Sequence, residues 1–99
     1  MRTPSTAPSL DQISRALTPR LPAGYRAVLF GSRASGRAWR SSDWDIGIVG
    51  PEPLDGAVMT ELRDALEGLP TLHSFDLVDL ATVPAEFREI ALQTAVPLP

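Results

Sequence analysis

The sequence contains neither cysteine nor lysine, and its 99 residues include only one histidine, His73. Without cysteine there can be no disulfide framework, thiol nucleophile or thiolate metal site. A single histidine does not make a typical zinc site. No apolar run approaches the roughly 20 residues that a membrane span needs, and no apolar stretch at the N-terminus is typical of a secretory signal. These absences predict a soluble, cytoplasmic protein with no membrane partner.

Positive and negative charges lie in different halves of the chain. Residues 1–45 carry seven arginines against three aspartates, a net charge of +4, whereas residues 46–99 carry two arginines against nine acids, a net charge of −7. The acidic half offers no extended basic track for a phosphate backbone, which argues against nucleic-acid binding. With 43% hydrophobic residues, a chain of this length is typical of one globular domain.

Proline positions and apolar periodicity divide the chain into short elements. Residues 1–8, rich in Pro, Ser and Thr, are predicted to be a disordered leader, and residues 9–99 a single domain. The predicted elements are a helix after Ser9, a strand over 25–30, a loop or short helix over 32–42, a strand over 43–49, a helix over 55–69, a strand over 72–80 and a helix from Pro84 with Phe87, Ile90 and Ala91 facing inward. This order predicts an α/β (α+β) fold, a small mixed β-sheet with helices packed on one face.

The stretch from Phe30 to Val49 holds the residues most suited to chemistry. Gly31 and Ser32 follow a buried strand, and a turn there would present backbone N–H groups and a hydroxyl to an anion. Asp43 and Asp45 are two apart on a strand, so both carboxylates leave the same face, with Cα atoms about 6.5–7 Å apart. Two acids on one face repel each other unless a cation lies between them, and hard oxygen ligands suit Mg²⁺.

A third carboxylate would complete a two-metal site, and the strand over 72–80 offers Asp76 and Asp79. Asp79 shares its parity with Phe75 and Leu77, which form the better core face. Asp76 then points to the same open face as Asp43 and Asp45, and we choose it. Asp79 remains the alternative, although an acid at the end of a strand is more often a capping residue.

Gly31-Ser32, ten intervening residues and Asp43-Trp44-Asp45 together resemble the G-S-x10-D-x-D signature of the DNA polymerase β-type nucleotidyltransferase superfamily. The short chain and the later F-D-L-V-D-L strand, residues 75–80, make it most similar to the minimal nucleotidyltransferase (MNT) family. The resemblance extends over about residues 9–94. Two residues depart from the pattern: Ser35 stands where many relatives have a basic residue, and Gly47 where a larger apolar residue is common.

The resemblance implies the polymerase β-like fold and a set of site residues. Gly31 and Ser32 match the family's contact with the nucleotide phosphates, and Arg33, which follows them, is also expected to bind the phosphates. Asp43 and Asp45 match its two Mg²⁺ ligands. Asp76 matches the third carboxylate, a ligand of the catalytic metal that can accept the proton of the nucleophile. Two Mg²⁺ ions and ATP are the implied cofactor and substrate.

The family also implies a function and a partner. Its members typically transfer AMP from ATP to a hydroxyl group, and many act as the antitoxin of a HEPN-domain ribonuclease toxin, in some cases by AMPylating a toxin tyrosine. We therefore expect a protein adenylyltransferase that forms a hetero-oligomer with a HEPN toxin. The alternatives are a non-catalytic antitoxin that neutralises its partner by covering it, and nucleotidyl transfer to a small molecule. Arg37 and Arg40 are either solvated loop charges or contacts to the acceptor. Trp39 and Trp44 more often pack or cover a site than stack on a base.

Overall fold

A computed structural model describes residues 7–39 and 42–99 of the chain. Its elements are α1 (Leu10–Leu17), a 3-10 turn (Thr18–Arg20), β1 (Arg26–Phe30), α2 (Ser32–Ser35), β2 (Trp44–Val49), α3 (Gly56–Glu67), β3 (Phe75–Asp79), α4 (Ala85–Gln93) and β4 (Val96–Pro97). The predicted order of helices and strands is thus confirmed, with β4 as an addition. None of the helices in these two ranges is both long and apolar enough to cross a membrane.

Local capping explains where the helices begin. The Ser9 hydroxyl accepts a hydrogen bond from the Gln12 amide, and the Gln12 side chain accepts one from the Ser9 amide, which is a complete capping box. Asp55 caps α3 through the Ala57 amide. Pro84 directly precedes α4, where its fixed φ suits entry into a helix.

The four strands form one mixed sheet in the order β3-β2-β1-β4. β1 runs antiparallel to both β2 and β4, whereas β2 and β3 are parallel. In this register Asp45 lies between Phe30 on β1 and Asp76 on β3. Residues directly opposite each other point to the same face of a sheet, so these three side chains share one face.

The main core lies on the opposite face, between the sheet and helices α1 and α3. Its fully enclosed side chains come from each of these elements: Ile13, Leu17, Ile46, Ile48 and Leu62 are 0% exposed. Trp44, the first residue of β2, is also buried there. The predicted core face of β2 and of β3 is therefore confirmed. Burial of each such side chain contributes about 1.5–3 kcal/mol to folding.

Helix α4 departs from the predicted one-sided helix layer. Its Ala91 packs with Val28, Phe30 and Leu80, a second cluster on the face that carries Asp45. Phe87 and Ile90, predicted to face inward, are 45% and 67% exposed. The apolar periodicity correctly predicted a helix whose Ala91 faces the sheet. Periodicity does not show how much of the sheet is available to bury the larger side chains of Phe87 and Ile90.

Packing in this second cluster explains why residue 47 is a glycine. A Cβ atom at this position would lie 2.7 Å from Cδ1 of Leu80 and 3.3 Å from the Phe30 ring. The absence of a side chain lets Leu80 and Phe30 approach the sheet. A larger apolar residue, common at this position in the family, would need both neighbours to move.

Two expected boundaries also differ from the structure. β3 begins at Phe75 rather than at residue 72. In the stretch 32–42, predicted to be a loop or a short helix, the described residues include one short helix, Ser32–Ser35, which begins at the predicted position. Of the predicted leader over 1–8, residues 1–6 lie outside the described residues, whereas Pro8 is buried. Arg40 is likewise outside them.

Candidate functional site

Three aspartates converge on the open face of the sheet. Asp45 on β2 and Asp76 on β3 occupy paired positions of neighbouring parallel strands, where main chains are about 4.8 Å apart. Asp43 lies one residue before β2 and is exposed. The alternation of side chains along an extended chain directs it to the same side as Asp45. The register thus places Asp45 and Asp76 side by side, and Asp43 precedes Asp45 by two positions on the same side.

The electrostatics of Asp45 reflect this arrangement. Partial burial raises the pKa of Asp45 above its ordinary value, and the negative charges of Asp76 and Asp43 raise it further. The two effects are distinct but act in the same direction, because burial disfavours any charge on the carboxyl group and the two neighbouring carboxylates repel a further negative charge. A bound cation would reverse the effect and favour the ionised carboxylates.

The donor set fits a hard divalent cation. Among the residues that the structure describes, no three acidic or histidine side chains are already gathered around one point as metal ligands. Mg²⁺, however, is usually held by one or two carboxylates together with waters and substrate phosphates. Asp43, Asp45 and Asp76 could supply the protein's share of such a site, and the cation would offset the repulsion that raises the pKa of Asp45.

Gly31 adjoins this carboxylate cluster directly. Its φ of +72° lies in the left-handed region that favours glycine. A Cβ atom at this position would also overlap the carboxylate of Asp45. Glycine therefore lets the turn after β1 lie against Asp45, and the turn leads at once into α2, where Ser32 is the first residue.

Arg33 contacts protein groups at the start of β2 and in the loop before β3. Its guanidinium lies 4.5 Å from the centre of the Trp44 ring system, and Nη2 donates a 3.0 Å hydrogen bond to the carbonyl of Ser42. Nη2 is also 3.4 Å from Nδ1 of His73, which accepts a 3.2 Å hydrogen bond from the indole N–H of Trp44. These contacts hold the start of β2 to the loop before β3.

Asp79 does not lie on the open face, and its buried carboxylate binds backbone amides instead. It is 7% exposed and lies on the same side of β3 as Leu77. Its carboxylate accepts a 2.7 Å hydrogen bond from the amide of Leu54 and a 3.0 Å bond from the amide of Ala81. The geometry therefore favours Asp76 over Asp79 as the neighbour of Asp45.

A cavity of about 740 Å³ lies between the end of β1 and helix α4, next to the turn at Gly31. Gly31 forms part of its wall, together with the aromatic rings of Phe30 and Phe87. Sequence reasoning missed this cavity because it assigned Phe87 and Ile90 to the core.

The two tryptophans differ sharply in exposure. Trp44 is 8% exposed and packs in the main core, whereas Trp39 is 81% exposed. The expectation that Trp44 has a packing role agrees with this position.

Comparison with known proteins identifies the class to which this fold and site belong. Residues 22–98 match the family model described as polymerase beta, nucleotidyltransferase. The chain therefore belongs to the polymerase β-type nucleotidyltransferase family, and the predicted family and fold are confirmed.

Three relatives illustrate the similarity. The chain is 36% identical over 78 residues to the "Probable protein adenylyltransferase MntA" of Haemophilus influenzae, covering 79% of this chain and 68% of that protein. It resembles a chain in a crystal structure of a toxin–antitoxin with AMP-PNP, with a TM-score of 0.74 and 27% identity over 93% of this chain and 73% of that one.

The third relative is a chain in the complex of the tri-AMPylated HEPN toxin of Shewanella oneidensis with its MNT antitoxin. Its TM-score is 0.66, with 23% identity over 91% of this chain and 68% of that chain. At this identity the likeness concerns the fold alone.

Proposed function

We propose that this protein transfers AMP from ATP to a hydroxyl group of a partner protein, in a Mg²⁺-dependent reaction. The observation that carries the proposal is the pairing of Asp45 with Asp76 across β2 and β3, beside the glycine turn at Gly31. The similarity to MntA of Haemophilus influenzae and to toxin–antitoxin complexes supports a HEPN-domain toxin as the partner, with this chain as antitoxin. We place the reaction in the cytoplasm, where ATP and Mg²⁺ are available.

Each site residue has a proposed task. Asp43 and Asp45 would hold Mg²⁺, and Gly31 and Ser32 would contact the triphosphate. The acceptor oxygen forms a bond to the α-phosphorus as the bond from that phosphorus to the pyrophosphate oxygen breaks, and Asp76 accepts the hydroxyl proton. Two Mg²⁺ ions, when bound, would offset the negative charge on the phosphates and on the departing pyrophosphate.

Arg33 is the least direct member of this set. Its guanidinium lies on Trp44 and beside His73. Contact with the phosphates would require it to leave these partners when the nucleotide binds. We keep it as a candidate phosphate contact on that condition.

The test is AMP transfer to a purified HEPN-domain partner, measured as the gain in mass of the intact partner after incubation with ATP and Mg²⁺. We expect Asp45→Asn and Asp76→Asn to lower the rate on the order of 10³-fold, since loss of about 4 kcal/mol of transition-state stabilisation has that effect. Asp64→Asn, an exposed acid on α3, is the matched control and should transfer normally. Undiminished transfer by the Asp45 and Asp76 variants would contradict the proposal.

A non-catalytic antitoxin is favoured by a separate observation. Two large apolar side chains outside the helices and strands are exposed, Trp39 at 81% and Leu72 at 73%, and such groups are suited to contact with a partner. A variant in which Asp43, Asp45 and Asp76 are all replaced by Asn separates the two functions. Full suppression of the toxin in cells by this variant would show neutralisation by occlusion.

A further inference from the structure

The cavity between β1 and α4 continues directly from the candidate phosphate site. Gly31 belongs to both, because it lies against Asp45 on one side and lines the cavity on the other. Phe30, opposite Asp45 in the β1–β2 register, forms part of the cavity wall. A ligand with its phosphates at Gly31 could therefore extend into the cavity without crossing the sheet.

The cavity has the size and wall chemistry of a small-molecule site. Its volume of about 740 Å³ lies inside the range of about 300–1,000 Å³ that is usual for such sites. Phe30, Phe87 and Ile90 provide apolar surface, and the polar side chains of Arg37, Gln93 and Thr94 lie around it. Apolar walls with a few polar groups suit a flat heterocycle that carries a sugar.

Phe87 is the side chain best placed to contact such a ring. It is 45% exposed, although it is a large apolar residue in a folded helix. Its ring is held edge-to-face against Phe30, with centroids 6.2 Å apart and an interplanar angle of 83°. Phe30 is itself 6% exposed, so it gives Phe87 a fixed support. An exposed aromatic ring with a buried anchor is pre-organised for stacking.

We propose that this cavity binds the nucleobase and ribose of the donor nucleotide, and that Phe87 is the principal base contact. This inference rests on the proposed nucleotidyltransferase function and names how that site holds its substrate. Aromatic side chains bind bases through the π-face that all bases share. Phe87 therefore contributes affinity for a nucleoside, and it contributes nothing to recognition of the phosphates.

The experiment compares two ligands that share the polyphosphate but differ in the nucleoside. Binding of ATP and of inorganic tripolyphosphate, each with Mg²⁺, is measured by calorimetry on the full chain. For Phe87→Ala we expect about tenfold weaker ATP binding, within the range known for loss of one base–aromatic stack, while tripolyphosphate affinity stays unchanged. Leu72→Ala is the control, since Leu72 is exposed but does not line the cavity.

A second variant separates stacking from folding. Phe87→Leu keeps apolar volume against Phe30 but removes the aromatic ring, and its thermal unfolding is compared with that of the wild type. We expect this variant to unfold at the wild-type temperature and still to bind ATP several-fold more weakly.

Three results would count against the inference. If Phe87→Ala lowers the affinity for ATP and for tripolyphosphate equally, Phe87 supports the phosphate site and does not contact the base. Unchanged ATP affinity together with weaker binding of a HEPN-domain partner would assign the cavity to protein docking. Failure of the wild-type protein to bind either ligand would instead overturn the proposed function, on which the inference depends.

Discussion

On one face of the sheet, Ile46 and Ile48 of β2 are fully enclosed by α1 and α3. On the other face, Asp45 of the same strand adjoins a second carboxylate and Gly31, which lines an open cavity. The difference arises from the period of two along a strand. One face maximises buried apolar area, and the other keeps like charges close together at a cost in electrostatic energy. A single strand thus joins the most stable part of the molecule to its candidate site.

The largest effect on stability is expected on the enclosed face. Ile46→Ala should lower the free energy of unfolding by about 2–5 kcal/mol, because it leaves a cavity among fully buried neighbours. Asp45→Ala, one residue away, should leave it unchanged or raise it. Chemical denaturation of both variants in EDTA checks the comparison, which fails if the two substitutions cost the same.

Gly31→Ala should lower the free energy of unfolding by less than Ile46→Ala does, but it should reduce both stability and activity. The positive φ alone costs on the order of 1–3 kcal/mol for a residue with a side chain, and the new methyl group would displace the Asp45 carboxylate. The double variant with Asp45→Ala removes that carboxylate. A double-mutant cycle measured by thermal unfolding should show that Gly31→Ala is less costly in this background; strictly additive effects would contradict the close approach.

Arg33→Ala tests whether Arg33 stabilises the fold or binds the nucleotide phosphates. From its position over Trp44 we expect a loss of about 0.5–1 kcal/mol in unfolding free energy, the usual value of a cation–π contact. The rate of AMP transfer should change little, because the lost contact stabilises the fold and does not bind the nucleotide. A tenfold or greater fall in transfer at unchanged stability would show that Arg33 reaches the phosphates.

The smallest expected effect is the dependence of stability on pH. Because the pKa of Asp45 is raised in the folded protein, the folded state binds more protons than the unfolded state between the two pKa values. Stability from this group is therefore greatest below the ordinary pKa and falls as the pH rises through the folded value. In EDTA, Asp45→Asn should be slightly more stable than the wild type at pH 7 and equal to it near pH 3, measured as Tm. A gain that persists unchanged at low pH would rule out this charge effect.

Local features of the chain could be predicted well. The alternation along residues 43–49 assigned Trp44 to the core and Asp45 to the open face, and Ser9 marked the start of α1. Each of these depends on neighbours within a few positions, so a periodic pattern contains the information. The choice of Asp76 over Asp79 followed from the same alternation, and the register places Asp76 beside Asp45.

Other features depend on contacts between distant segments. The motif predicts that Arg33 binds the phosphates, and it contains no information on the contacts of Arg33 with Trp44 and His73, which lie 11 and 40 positions further along the chain. The side chain of Phe87 has the spacing of a core residue, yet α4 buries only Ala91 fully. Periodicity shows that a helix has an apolar side, and it does not show how much surface exists to cover it.

The sequence by itself determined the paired aspartates on one face, the glycine turn before them and the family to which the chain belongs, because these depend on local spacing and backbone geometry. Only the tertiary structure decided that Asp45 and Asp76 are neighbours across two strands, that Gly31 abuts the carboxylate of Asp45, and that α4 leaves a cavity lined in part by Gly31. These relations depend on how strands pair and how helices fill the remaining surface, since distances between separate segments are set by packing alone.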